Sequence, residues 1–434
     1  MRKKAELMGL AGTMALALAL CGGMRMEAAA EGEEVGLIAA WWGSQDRNDK
    51  FTKAFDTYTE NNPNITFELQ INTFSDHLTA LSASAASNTM PDLAMLQTAY
   101  LKTYTDAEKL LDLTPYIESG ALDMSNVDEN VLATGKVGEG IYGISAGNNA
   151  ASIIYNKTLL EENGIEVKNL MNMEEFVGVC QEIYEKTGVR TQIDNISTWL
   201  EFISRANGTG LFEGNALGAG DAEIFVPFFE MIETGREEGW LLDQGIVTAN
   251  GTAVEEQAVV KYTSAETQSW CSGFNSNQMV AMQAAAPEGV ELDLITVPCD
   301  DPSTSYYVRQ AMCWTIAAGS EHIDEAVAVL NWWINSEEAN AIIMGEPGVP
   351  ANNEIAAYVA DMLDETTAKT FNYVADVVIP NSSAGDPPAE AGASQVLDLA
   401  NEVYEKVAYG EMTAEEAAAE FFEQGNTMMA NAAS

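Results

Sequence analysis

Positive charge is scarce in this chain. Twenty Lys and Arg stand against 66 Asp and Glu among 434 residues, a net charge of −46. Setting aside the leader's Arg2, Lys3, Lys4 and Glu6 makes it −48. Such a surface repels nucleic acid and anionic lipid, and it argues against phosphate or other anionic ligands unless basic groups cluster. No cluster is visible along the chain. Histidine is scarcer still, with only His77 and His322. Cys180, Cys271, Cys299 and Cys313 show no C-x-x-C spacing, so a zinc site is not expected. One disulfide among Cys271, Cys299 and Cys313 and a set of buried free thiols both fit the spacing. Phosphate-cradling glycine loops and EF-hand loops are absent as well, so no cofactor or metal is expected and any energy must come from a separate ATPase.

Long apolar runs are missing except at the start. Arg2, Lys3 and Lys4 precede the apolar run Leu7 to Leu20, which is short for a membrane span and suits a secretory signal. Leu18-Ala19-Leu20-Cys21-Gly22 resembles a lipobox and nominates Cys21 for lipidation, although Leu20 stands where a small residue is usual. Ala28-Ala29-Ala30 offers a rival cleavage point, after Ala30. Either route places the mature protein outside the cytoplasm, on the outer face of the membrane or secreted. Residues 1–30 are thus leader and tether. The roughly 400 residues that remain exceed one core and predict two domains.

What is present is strand–helix alternation. Val35 to Trp41 is apolar throughout, as in a strand covered on both faces. Phe51, Ala54, Phe55 and Tyr58 then recur at helical spacing until Asn61-Asn62-Pro63. Ile65, Phe67, Leu69 and Ile71 alternate as a strand. This is a parallel βαβ unit with a right-handed crossover, and ligands of open parallel sheets sit beyond the carboxyl ends of the strands. Trp42 to Arg47 occupy that place. Further on, Ser75–Asn88 reads as a helix and Asp92–Leu96 as a buried strand ending in Gln97. Gly140–Ser145 and Ala151–Tyr155 read as strands flanking Gly147-Asn148-Asn149, and Glu174–Lys186 as a helix capped by Gly188. Leu292–Val297 and Met312–Ala318 read as strands returning to the first sheet. The chain is helical from Ile323, with a Thr413/Glu416 capping box before the last helix.

Two adjacent tryptophans followed at once by Gly, Ser, Gln, Asp, Arg and Asn suit a sugar, which has apolar faces and a polar rim. Trp41 and Trp42 point oppositely along a strand, so Trp41 is assigned to the core and Trp42 to the ligand. Asp46 and Arg47 supply a carboxylate acceptor and a guanidinium donor for hydroxyls. Trp199, Trp270 and Trp314 lie near element ends and join the candidates, with Gln97, Asn148, Asn149 and Glu346. Trp332 and Trp333 lie within a helix and read as packing, Trp240 reads equally as core, and His77 reads as a surface residue at a helix start.

Several stretches resemble extracellular solute-binding proteins of carbohydrate ABC importers, the family-1 cluster that includes maltose-binding protein. They are FDTYTENNPNITFELQ, LTALSASAASNTMPDLAMLQTAYLKTY, LLDLTPYI, IYGISAGNNAASIIYNKTLLEENGI, NSNQMVAM and DEAVAVLNWWINSEEANAIIMGEPGVPANNEIA. Each is weak alone; their order and spacing are specific. Pro347 departs from the Arg that relatives carry before Gly-Val-Pro, and Asn277 from a Gly. The resemblance implies an α/β fold of two periplasmic-binding-protein-like lobes (type II), each a mixed sheet flanked by helices, with sugar bound between them. It implies a monomer that delivers its ligand to permease subunits. It divides the chain into a first lobe of 31–150 plus about 285–330 and a second of 151–284 plus about 331–434.

Other classes are weighed against this. Gly143-Ile144-Ser145-Ala146-Gly147 matches the hydrolase elbow G-x-S-x-G, but that motif needs a following helix and another strand is expected here. Carboxylate pairs for a glycosidase are too common in so acidic a chain to discriminate. Within binding proteins, the alternative is a cationic ligand such as a polyamine held by aromatics and carboxylates.

Overall fold

The computed structural model describes residues 34–432 apart from 311, 388, 389 and 391. Cys21 and the alternative cleavage point after Ala30 lie outside the described residues.

The apolar opening run forms strand β1 (Val35–Trp42), followed by helix α1 (Gln45–Asn61) and strand β2 (Ile65–Asn72). β1 and β2 pair in parallel along their whole length, Val35 opposite Ile65 and Trp42 opposite Asn72. Ser44 caps α1, its Oγ accepting from the Arg47 backbone N–H at 3.2 Å. The four residues at helical spacing, Phe51, Ala54, Phe55 and Tyr58, are the buried face of that helix. Helix α2 (Phe74–Ser87), strand β3 (Leu93–Leu96) and helix α3 (Thr98–Asp106) complete the parallel part of the sheet.

The chain then builds strand β4 (Ile144–Ser145), strand β5 (Asn148–Asn149) and strand β6 (Ala151–Asn156). Helix α4 (Met173–Thr187) starts from the Asn172/Glu175 capping box and ends at Gly188, whose φ is +72°. Helix α5 (Ile196–Ala206) and helix α6 (Val226–Glu238) follow, then strand β7 (Cys271–Asn275), strand β8 (Leu292–Ile295), strand β9 (Arg309–Gln310) and strand β10 (Cys313–Ile316). The last helices include α7 (Ile323–Asn335), α8 (Glu337–Ile343), α9 (Ala393–Ala408) and α10 (Ala414–Ala432). α10 begins at the expected capping box: the Glu416 N–H donates to Thr413 Oγ1 at 3.3 Å, and the Thr413 N–H to Glu416 Oε2 at 3.1 Å.

Among the described residues the two largest sheets have five and three strands, with three two-stranded ladders beside them. The first runs β2-β1-β3-β10-β4, and the second β7-β6-β8. The two late strands therefore part company. Cys313–Ile316 joins the first sheet antiparallel to β3, whereas Leu292–Ile295 pairs with β6 in the second. α7 brings Trp333 against Phe51, Phe55 and Trp314.

Aromatic rings dominate the first core. Trp41 is fully buried, stacked on Phe55 at 5.6 Å and 21°, and Trp314 and Trp333 meet edge to face at 5.2 Å. On the sheet's other face, His77 is buried rather than on the surface. Its Nε2 donates to the Met95 carbonyl at 2.7 Å, and its ring lies 5.2 Å from that of Trp42. Burial pushes its pKa below the ordinary histidine value, only partly offset by that hydrogen bond. Cys180, Cys271, Cys299 and Cys313 are free thiols, all buried.

Two outcomes are expected. Trp314→Ala empties the centre of the first core and should cost about 3–5 kcal/mol in chemical denaturation. Because His77 binds a proton more readily unfolded than folded, its neutral form stabilises the fold fully above the unfolded pKa. That contribution is lost as pH falls below about 6.5 toward the depressed folded value. The stability difference between wild type and His77→Gln should therefore shrink between pH 7 and pH 5.

Candidate functional site

Three separate stretches of chain meet at Asn148. β5 pairs antiparallel with β9, placing Asn149 opposite Arg309 and Asn148 opposite Gln310. The Asn148 N–H donates to the Val349 carbonyl at 2.8 Å, and the Val349 N–H returns a bond to the Asn148 carbonyl at 2.9 Å. This contact requires glycine at 348: φ is +138°, and a Cβ there would lie 2.8 Å from the Asn148 oxygen. β4 and β10 of the first sheet lead into this junction, and β6 of the second leads out of it. It is the bridge between the lobes, and a groove beside it is lined on the second lobe's side by Arg309.

The carboxyl ends of the first lobe's parallel strands carry a second group of side chains. β1 ends in Trp42, Phe74 follows β2, and Gln97 and Tyr100 follow β3. Trp42 is only 8% exposed, because Phe74 and His77 cover it, with ring centroids at 5.3 and 5.2 Å. The solvent-facing rings are Phe74 at 37% and Tyr100 at 36%. Gln97 is half-buried at the N-cap of α3, with no capping bond from its side chain. Thr98 ties this edge to the bridge, its hydroxyl donating to the Gln310 carbonyl at 2.8 Å.

The second lobe contributes α5 and the approach to β9. Tyr307 donates its hydroxyl to both oxygens of Glu201, each at 2.8 Å. Arg309 Nη2 donates to Glu201 Oε2 at 3.2 Å and to Thr198 Oγ1 at 3.1 Å. Two guanidinium groups lie over the Tyr307 ring, Arg205 at 5.0 Å and Arg309 at 5.3 Å. Burial raises the pKa of Glu201, while the charge of Arg309 and the Tyr307 hydrogen bond pull it down. Beside them is a cavity of about 250 Å³ lined by Ser197, Glu201, Phe212, Tyr307, Arg309 and Asp386, among others. The edge of β7 also reaches the bridge: Asn275 pairs with Ala151, the first residue of β6.

The residues expected from sequence are only partly brought together. Trp42 and Gln97 stand at the carboxyl ends of β1 and β3, and Asn149 lies in the bridge opposite Arg309. Asp46 points to solvent and pairs with Lys50 at 2.8 Å. Arg47 folds back instead of facing a ligand, its Nε donating to Glu346 at 2.5 Å and its Nη1 to the Trp42 carbonyl at 3.2 Å. Gly43 makes room for it, since a Cβ there would sit 2.3 Å from Arg47 Cδ. Asn148 is fully buried, accepting from Ser145 Oγ at 2.8 Å, and its Nδ2 has no protein partner. It belongs to the bridge.

Three of the nominated indoles are packing. Trp199 is 3% exposed between Phe176 and Phe228 and donates to the Asp194 carbonyl. Trp270 is fully buried and donates to Thr191 Oγ1 at 2.9 Å, and Trp314 lies in the first core. Seven of the eight tryptophans are buried, so indoles do not form the groove's walls. The sequence reading passed over Phe74, Tyr100, Glu201, Tyr307 and Arg309. Phe74 and Tyr100 hold the same position after their strands that singled out Trp42. Ser145 lies on β4, pairing with β10, and β5 follows it rather than a helix, so the hydrolase elbow is not formed.

A model of the bacterial extracellular solute-binding protein family matches residues 53–370. Solved structures repeat the fold. An extracellular solute-binding protein family 1 from Alicyclobacillus acidocaldarius superposes with a TM-score of 0.83 at 18% identity, covering 92% of this chain and 99% of that one. A periplasmic oligogalacturonide binding protein from Yersinia enterocolitica gives 0.72 at 19%, covering 92% and 100%. An ABC substrate-binding protein from Listeria monocytogenes in complex with cycloalternan gives 0.63 at 17%, covering 91% and 99%. At such identities the likeness carries the two-lobed fold and nothing about the ligand. The family match spans most of the chain, and with the bridge and the groove beside it, it shows that this protein belongs to the bacterial extracellular solute-binding proteins.

Proposed function

We propose that the protein captures a sugar or short oligosaccharide between its lobes and hands it to the permease of an ABC importer. The observation that carries this is the pair of solvent-facing rings, Phe74 and Tyr100, at the carboxyl ends of β2 and β3, beside a bridge that also holds Tyr307 and Arg309. Covering about 100 Å² of ring face yields roughly 2.5 kcal/mol, so two rings supply about 5 kcal/mol. Micromolar binding needs about 8 kcal/mol net, and hydrogen bonds from Gln97, Asn149 and Arg309 are the natural source of the rest. A ligand touching both lobes favours the closed arrangement by its differential affinity for it. Oligogalacturonide and cycloalternan, bound by two structural neighbours, are carbohydrates, which supports the class. Among the described residues no helix is long and apolar enough to cross a membrane. Attachment through a lipidated Cys21 would hold the protein beside its permease.

Calorimetry against a panel of plant, milk and host glycans should find a carbohydrate ligand whose affinity barely changes with salt; a polyamine ligand would lose affinity steeply. Phe74→Ala with Tyr100→Ala should weaken the carbohydrate at least about a hundredfold while leaving the melting temperature within a few degrees. Unchanged affinity in that double variant removes the site. Separately, metabolic labelling with a fatty acid should mark the wild-type protein and not Cys21→Ser.

A further inference from the structure

Among the described residues, the three arginines near the bridge are each ion-paired, Arg47 with Glu346, Arg205 with Asp386 and Arg309 with Glu201. All three nitrogens of the Arg205 guanidinium have partners. Its Nε donates to the Thr304 and Ser305 carbonyls at 3.0 Å each, and its Nη2 to Ser383 Oγ and the Ala384 carbonyl at 2.7 Å each. Arg309 differs. Its side chain is 34% exposed, it lines the 250 Å³ cavity, and its contacts to Thr198 and Glu201 both leave from Nη2. Among the described residues its Nε and Nη1 hydrogens have no acceptor.

That distribution has a chemical consequence. A guanidinium grips a carboxylate through two parallel N–H groups, either Nε with Nη2 or Nη1 with Nη2. Both forks need Nη2, which Thr198 and Glu201 occupy. What Arg309 can still offer is single N–H donors on a charge-neutralised group, which match hydroxyl oxygens.

We propose that Glu201 sets the charge class of the ligand: by occupying Nη2 of Arg309 and cancelling its charge, it makes the groove select uncharged saccharides and reject uronic acids. A uronate entering the cavity would bring its carboxylate beside Glu201 and Asp386, where Arg205 and Arg309 are already ion-paired. A polyamine is disfavoured by the same pairs, since Glu201, Asp386 and Glu346 each already face an arginine. The inference rests on the saccharide reading above.

Calorimetry with matched probes tests it: maltotriose, cellotriose, xylotriose and methyl-esterified trigalacturonic acid as the neutral set, with trigalacturonic acid and its reduced-end derivatives as the acidic set. Wild type should bind at least one neutral probe and every acidic probe at least about thirtyfold more weakly. Glu201→Gln removes the charge and keeps an acceptor; it should narrow that ratio about tenfold, and Glu201→Ala should narrow it further. Wild type binding trigalacturonic acid as tightly as its best neutral probe overturns the inference and leaves the saccharide reading standing. That comparison needs no variant. Folded variants with an unchanged ratio overturn the role of Glu201. No binding by either set, or by the wider glycan panel, takes down the saccharide reading and the inference with it.

Discussion

The backbone exchange between Asn148 and Val349, with β9 paired alongside, is the constraint on which the rest of the molecule depends. It fixes where two sheets of different topology are joined and so where a groove can exist. Its tolerance is small. Gly348 is pressed against Asn148, and a Cβ on Gly147 would approach the Gly348 nitrogen to 2.6 Å. Glu346, two residues before Gly348, is held by Arg47 at the start of α1. The turn that grips the bridge is thus fastened to the first lobe. This gives Arg47 a mechanical task where a sugar contact was expected.

Charge is organised on two levels. The chain carries a large excess of carboxylates, a charge that discourages anionic partners. Near the bridge Arg47, Arg205 and Arg309 are balanced one for one by Glu346, Asp386 and Glu201. A half-buried Glu201 between Arg309 and Tyr307 is stabilised by a full set of donors. An uncharged polyol can exchange hydrogen bonds with such a surface without paying to separate ions.

The parallel half of the first lobe was legible because its signals are local. Phe51, Ala54, Phe55 and Tyr58 spell one helix face, Asn61-Asn62-Pro63 ends it, and Thr413 with Glu416 announces the last helix. Strand partnership was not legible. Leu292–Ile295 and Cys313–Ile316 are both short, mostly buried strands, and nothing in either states which sheet will accept it. The tryptophans misled for a related reason: an indole near the end of an element looks alike whether its face meets Phe228 or a ligand. Phe74 and Tyr100 were within reach of the strand-end argument, which was applied to Trp42 alone. Glu201 and Arg309 stand 108 residues apart, and no periodicity links them.

The first sheet places Cys313–Ile316 between β3 and β4, at the middle of an order otherwise drawn from the first third of the chain. A nascent polypeptide therefore has no complete sheet to fold onto until that late strand has been made. The second sheet waits in the same way for Leu292–Ile295. Contacts so distant in sequence close slowly, and neither sheet can be complete before its late strand exists.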